Sequence, residues 1–175
     1  MRSDPAAAAT LRPYLPSDAL RCAAIFRVSI EESTVEDYDD DQRRVWAAKA
    51  DDGAAFGARL AGALSLIAVI DGDPVGFASL KGAEEIEMLY VDPDFARRGV
   101  GASLIDAMTR IAAARGAKQL TSDVSDTARP LFERQGFVAQ RRNLVELDGE
   151  WLANTTMAKK LAPTGPSEPS SPKPH

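Results

Sequence analysis

Residues 91 to 104 read Val91-Asp92-Pro93-Asp94-Phe95-Ala96-Arg97-Arg98-Gly99-Val100-Gly101-Ala102-Ser103-Leu104. An apolar run ends at Val91, a Pro-containing loop turns, and a helical pattern opens within Gly99-Val100-Gly101. Glycine lets the backbone turn tightly and approach a ligand closely. The first turn of a helix offers unpaired N–H groups and the positive end of its dipole. Together these suit an anion, and a pyrophosphate fits such a site. Arg97 and Arg98 add positive charge beside it. Two other phosphate loops do not fit. The dinucleotide pattern G-x-G-x-x-G needs glycine where Leu104 stands, and the Gly-Lys-Ser/Thr of a P-loop is missing. Gly-X-Gly alone is a weak signal, equally compatible with turn glycines before a helix.

Residue counts narrow who could move a proton. The chain has one Cys, Cys22, and one His, His175, which is the last residue. No disulfide can form within the chain, and no Cys-rich zinc site exists. A Ser-His-Asp or Cys-His mechanism has no base to use, and the single His argues against a His-ligated catalytic metal. Proton transfer falls to Glu, Asp, Tyr, Lys or water. In the run 84–91, alternation predicts that Glu85, Glu87, Leu89 and Val91 share one strand face. Asp123 lies in the next predicted strand.

These residues need elements to hold them. The 175 residues suffice for one domain with a sizeable core, and 45% are hydrophobic. Twenty-one Lys and Arg against 26 Asp and Glu give a net charge of -5, which argues against a general nucleic-acid binder. No secretory signal is visible, and the most apolar run, 64–70, is too short to cross a bilayer. A cytoplasmic bacterial protein without membrane partners, monomer or homodimer, is the expectation. Residues 1–9 read as a disordered leader, and the Pro/Ser-rich residues 162–175 as a disordered tail. The folded domain is expected over 10–161.

The pattern predicts a strand at 11–14, a helix capped near Ser17 or Asp18, and a second helix over 39–50. Strands follow at 64–70, 75–80 and 84–91, with Asp71-Gly72 marking a hairpin turn. A long helix opens near Gly99 and stops at Gly116. A strand at 120–124 then runs parallel to the one before it. A helix over 126–135 and a hairpin across Asp148-Gly149 complete the chain. The expected class is α/β (α+β): a mixed, mostly antiparallel seven-stranded sheet with helices on both faces.

The stretch from Ile86 to Phe137 resembles the GNAT acetyltransferase family. The features are the Leu89-Tyr90-Val91-Asp92-Pro93 strand end, the turn Arg97 to Ala102, the long helix, and Leu131-Phe132-Glu133-Arg134-Gln135-Gly136-Phe137. Ile25-Phe26, Tyr38, Gln42, Trp46-Ala47 and the stretch 151–157 are more narrowly similar to the YafP-like branch. The resemblance implies a splay between strands 4 and 5 that accepts acetyl-CoA, with no metal. Its pantetheine would pair with backbone at Leu89, Tyr90 and Val91. Its pyrophosphate would sit on the amides of Arg97, Arg98, Gly99, Val100, Gly101 and Ala102, next to Ser103. The family's Q/R-x-x-G-x-G/A signature begins here on Ala96. The Asn common at the last helix falls on Ser125, and the Tyr often used as acid falls on Phe132.

The implied activity is N-acetyl transfer by direct attack of an amine. The alternative is an acetyl-CoA-binding sensor that does not turn over. The resemblance offers Glu87 and Glu85 as bases, and Asp123 is a third candidate. An amine of pKa near 10 is about 10³-fold more ammonium than free amine at pH 7, so a base must remove its proton. Nine acidic residues against three basic ones in 31–52 suggest a small cationic amine, though a solvated helix face explains them as well. Tyr38, Trp46, Trp151 and Asn154 are candidates for lining the acceptor pocket.

Overall fold

A computed structural model describes residues 8–162. Most of the expected leader, and the tail from residue 163, lie outside the described residues. Seven strands form one sheet: β1 (Thr10–Pro13), β2 (Leu64–Ile70), β3 (Asp73–Lys81), β4 (Glu85–Val91), β5 (Gln119–Ser125), β6 (Val138–Leu147) and β7 (Glu150–Lys160). Their order is β1-β2-β3-β4-β5-β7-β6. Every neighbouring pair is antiparallel except β4 and β5. Five helices flank them: α1 (Ala19–Ser33), α2 (Asp40–Ala47), α3 (Gly53–Ala61), α4 (Val100–Ala114) and α5 (Arg129–Arg134).

Local chemistry fixes the connections. Asp71 and Gly72 have φ of 50° and 83°, and Asp148 and Gly149 have 47° and 86°. Both pairs are the left-handed centres that join two strands by a two-residue hairpin turn. At the end of α4, the Ala117 amide donates to the Ala112 carbonyl and the Gly116 amide to that of Ala113. With Gly116 at φ 84°, this closes the helix as a Schellman motif.

The sheet separates two cores. On one face Leu104, Ile105 and Met108 of α4 and Phe132 of α5 pack on Ala78, Leu80, Ile86 and Leu120. On the other, Cys22, Ile25 and Phe26 of α1 and Phe56 and Leu60 of α3 pack on Ile67, Phe77 and Met88.

The structure departs from the expected elements in three places. Helix α3 was not expected, because GAAFGARLA carries two glycines, which disfavour helix. It forms because Asp52 caps it, accepting from the Ala55 amide, and Phe56 and Leu60 bury fully. The last helix starts at Arg129, not Asp126, with Pro130 in its first turn. In β4, the pairing passes from Ser79↔Met88 to Leu80↔Ile86, so Glu87 is an extra residue. This bulge breaks the alternation. Ile86, Leu89 and Val91 pack with the α4 core, while Met88 and Tyr90 pack with the α1 core. Glu85, Glu87, Leu89 and Val91 therefore do not share one face.

The entry to α1 offers a pH test. The Asp18 carboxylate does not cap its own helix. It accepts both Arg12 Nη1 and Nη2 at 2.8 Å and the Leu15 amide at 2.8 Å. The Arg12 hydrogen bonds hold its pKa below the ordinary 3.8, against burial, with Leu15 adding to them. A depressed carboxyl stabilises the fold above its unfolded pKa and loses that contribution as pH falls through its folded one. Asp18→Asn is expected to cost about 1–3 kcal/mol near pH 7, as a buried charged hydrogen-bond network does. The difference from wild type should shrink below about pH 4, measured by urea unfolding across pH.

Candidate active site

Strands β4 and β5 pair at a single register position, Glu85↔Thr121. Three further bonds tie the same end, from the Thr121 amide (2.7 Å) and hydroxyl (3.2 Å) to the Glu84 carbonyl and from Ser122 Oγ to the Ile86 carbonyl (2.8 Å). Beyond Ile86 the strands part. The backbone of Leu89, Tyr90 and Val91 is paired with Ala78, Phe77 and Gly76 of β3 on one side. On the β5 side the ladder has ended, so polar groups face the opening. Such an edge can receive an extended chain by backbone hydrogen bonds.

A cavity of about 340 Å³ occupies this splay. Leu89, Ser125, Ala128 and Phe132 line it near α5, and Phe26, Tyr38, Trp46, Lys49 and Arg59 line it near α1–α3. It therefore passes through the sheet and joins its two faces.

The loop leading to α4 stands on the α4–α5 side. Arg97 and Gly99 have φ of 62° and 75°. The left-handed region is strained for an arginine, and such strain marks an over-determined loop. Gly99 caps α4 without any side-chain bond, so the cap residue leaves the amides of its first turn open. A Cβ on Gly101 would lie 2.8 Å from Leu131 Cδ2, so a larger residue would require the Leu131 side chain or the first turn of α4 to shift. The buried Asp92 anchors the loop, accepting from the Asp94 amide (3.0 Å) and pairing with Arg21 of α1 (2.8 Å). Arg98 lies over the Phe95 ring, 5.4 Å from its centroid. An uncapped helix start, glycine clearance and flanking arginines fit a bound pyrophosphate.

A family model described as an acetyltransferase (GNAT) domain matches residues 34–161. The chain belongs to the GNAT acetyltransferase family. It is 34% identical over 150 residues to YafP of Escherichia coli (strain K12), described as an uncharacterized N-acetyltransferase; this covers 86% of the chain and 95% of that protein. A solved GCN5-related N-acetyltransferase from Rhodopseudomonas palustris shares 55% identity and a TM-score of 0.87, spanning 91% of this chain and 99% of that one. The PaiA N-acetyltransferase of Thermoplasma acidophilum, solved in complex with coenzyme A, shares the fold at 17% identity and a TM-score of 0.71, spanning 87% and 99%. The chain is thus an acyltransferase on a GNAT fold, and its parallel β4–β5 pair gives the splay. No helix among the described residues is long and apolar enough to cross a membrane.

Within this GNAT site, charge gathers on the α1–α3 side. Glu87 sits at the bulge and takes Arg59 Nη2 at 2.9 Å. Two places along β5 from the Thr121 pairing, Asp123 accepts from Thr156 Oγ at 2.6 Å. Asn143 Nδ2 donates to both Thr156 Oγ and Asn154 Oδ1 at 2.8 Å, fixing that wall. Asp123 makes no ion pair with any described residue. Glu85 lines the cavity at its closed end, where the strands still pair.

Aromatic groups separate these charges from the core. Tyr90 stacks among Phe26, Phe77 and Trp46, with centroids at 4.6, 5.7 and 6.5 Å. Burial pushes its phenol up to about 12, against a hydrogen bond from the Trp46 indole. The Tyr38 hydroxyl donates to the Ala153 carbonyl (2.6 Å) and accepts from the Asp126 amide (3.0 Å), so its hydrogen-bonding capacity is used in joining elements. Ser125 Oγ accepts from the Ala128 amide (3.1 Å), leading into α5. Phe132 is buried against Phe137, centroids 5.0 Å apart. The Cys22 thiol is fully buried in α1 and pushed up to about 12 by burial, which removes it as a nucleophile.

The structure brings Glu85, Glu87, Asp123, Tyr38, Trp46 and Asn154 to one cavity, but not Trp151. Trp151 is 56% exposed, and its carbonyl accepts from Gln42 Nε2 (2.8 Å). None of the nine acidic residues of 31–52 lines the cavity; Lys49 of that segment does. Lys49 and Arg59 are the charged lining residues absent from the sequence-based candidates, beside apolar ones such as Phe26, Met88 and Leu152. Their only signal was positive charge on predicted helical or loop segments, which reads as a solvated face.

Proposed function

We propose that this chain transfers the acetyl group of acetyl-CoA to the nitrogen of a small amine that arrives as a cation. The observation that carries the reading is the single cavity through the β4–β5 splay. Its lining runs from Leu89, Ser125 and Phe132 on the α4–α5 side to Glu87 and Asp123 on the other, and the turn from Arg97 to Ser103 stands outside that lining on the α4 side. Acetyl-CoA supplies an activated thioester carbonyl. The first-turn amides of α4, from Val100 to Ala102, with Arg97, Arg98 and Ser103 around them, hold the pyrophosphate. The unpaired edge of Leu89 to Val91 holds the pantetheine arm, and Ser125 and Phe132 border it.

The acceptor approaches from the α1–α3 side, past Tyr38, Trp46 and Asn154. Carboxylates there lower the energy of an arriving ammonium. Asp123, with no cation paired to it among the described residues, takes the proton and frees the nitrogen lone pair. Glu87, held by Arg59, adds negative potential. A backbone N–H at Leu89 or Tyr90 meets the charge that develops on the carbonyl oxygen. Phe132 has no proton to give, so water reprotonates the departing thiolate. Positioning two substrates for direct attack supplies much of the rate. The reading places the enzyme in the bacterial cytoplasm.

Thermal-shift titration tests the ligand and thiol release tests the reaction. CoA and acetyl-CoA are expected to raise the melting temperature more than ATP or NAD, by mass action. Thiol release from acetyl-CoA should depend on added amine. A larger shift with ATP or NAD would overturn the reading.

A further inference from the structure

The cavity carries more charge than acetyl transfer to a plain amine uses. Lys49, in the 3-10 turn at 48–50 after α2, and Arg59, in α3, both line it. They stand on the α1–α3 side of the sheet, whereas the α4 N-terminus packs on the other face. Neither is placed to meet a pyrophosphate there. Arg59 spends Nη2 on Glu87, one use of a guanidinium with five N–H donors. Lys49 makes no ion pair with any described residue. Its ammonium pKa is lowered, first by burial and then by repulsion from Arg59, while Asp148 opposes. Glu87 offsets the charge of Arg59, while the Lys49 ammonium beside the same cavity keeps no carboxylate partner among the described residues and is free to take an anion.

We infer that the acceptor is an amino acid type molecule, carrying a carboxylate that Lys49 and Arg59 hold as well as the amine that is acetylated. The inference rests on the acetyl-transfer reading and specifies its substrate class. Cations at one end of the cavity and Asp123 across the splay match the two ends of a zwitterion. Glu87, which already holds Arg59, lines the same cavity. This polarity sets which end enters: the carboxylate stays at α3 and the amine points toward the splay. The Trp46 and Tyr90 rings give the part between them an apolar wall.

The test uses matched acceptors on several scaffolds, each as the free amino acid and as its carboxamide. Thiol release from acetyl-CoA gives kcat/KM for both. The carboxamide has the less basic amine, because a nearby negative charge is gone, so charge-blind chemistry at pH 7 favours the amide. For wild type we expect the acid-to-amide ratio to exceed about 10, the size of a charge-assisted hydrogen bond. In Lys49→Met the ratio should fall toward one, through a higher KM for the acids. Amides equal to or better than acids in every pair, or a ratio unchanged in Lys49→Met, would overturn the inference while acetyl transfer stands. Absence of thiol release with any acceptor would instead sink the acetyl-transfer reading, and this inference with it.

Discussion

Asp123→Asn is expected to lower kcat about a hundredfold at pH 7, within the 10²- to 10⁴-fold range of a general base, and to leave acetyl-CoA affinity unchanged. The substitution is nearly isosteric. The Asn Oδ1 still accepts from Thr156 Oγ, the contact that now orients Asp123 at 2.6 Å. The lost property is proton affinity. At pH 7 an amine of pKa near 10 is about a thousandth free base, so a variant without a base works only on that fraction. Its rate should climb with pH more steeply than that of wild type, and the deficit should close as pH nears the amine's own pKa. Glu87→Gln should cost less, because Glu87 is already paired with Arg59 at 2.9 Å and its amide can keep that contact. Glu85→Gln should cost least, since Glu85 stands where β4 and β5 remain paired. Steady-state rates from pH 6 to 10 check all three. Equal turnover by wild type and all three variants across that range would exclude a carboxylate base.

Only part of this arrangement was legible in the sequence. The hairpin turns were, because Asp71-Gly72 and Asp148-Gly149 leave few alternatives to two left-handed residues in sequence. Helix α4 was, because Leu104, Ile105, Met108 and Ala112 recur at helical spacing between Gly99 and Gly116. The Glu87 bulge was not. Glu85-Ile86-Glu87-Met88 alternates without a flaw, and nothing in a period of two marks an extra residue. The side chain of Glu87 therefore meets Arg59 of a helix that was itself unseen. That helix was hidden by Gly53 and Gly57, which lower propensity. Gly57 is there for space: a Cβ would lie 3.0 Å from Ala19 Cβ and 3.3 Å from Tyr14 Oη. Packing of α3 on α1 overrode local preference. Arg59, a cation facing the acceptor side, was lost with it. The negative run at 31–52 drew attention to charge outside the cavity, while the one lysine of the segment faces it. Cofactor-side features are written in local turn chemistry. Acceptor-side features depend on which helices cover the sheet, and that is tertiary.

Gly101→Val is expected to raise the KM and Kd for acetyl-CoA about 10- to 100-fold, the loss of one or two charged hydrogen bonds, with a smaller effect on folding. A Cβ at this position would sit 2.8 Å from Leu131 Cδ2 and 3.9 Å from Val91 Cγ2. Leu131 Cδ2 is the end of a flexible side chain and can swing, so the fold tolerates part of the strain. The first turn of α4 cannot both relieve that contact and keep its amides aimed outward, because Val100 is buried just before it. A branched side chain also covers the surface where the phosphates would approach the backbone. Gly99→Ala separates the two causes. Gly99 has nothing within 4 Å of an added Cβ but holds φ at 75°, so alanine there strains the turn without filling space. If close approach of backbone to phosphate is what Gly101 provides, Gly101→Val should weaken acetyl-CoA binding more than Gly99→Ala does at equal loss of thermal stability. Isothermal titration with CoA and thermal unfolding measure the two quantities. Equal affinity losses at equal stability losses would mean that both glycines serve only to shape the turn.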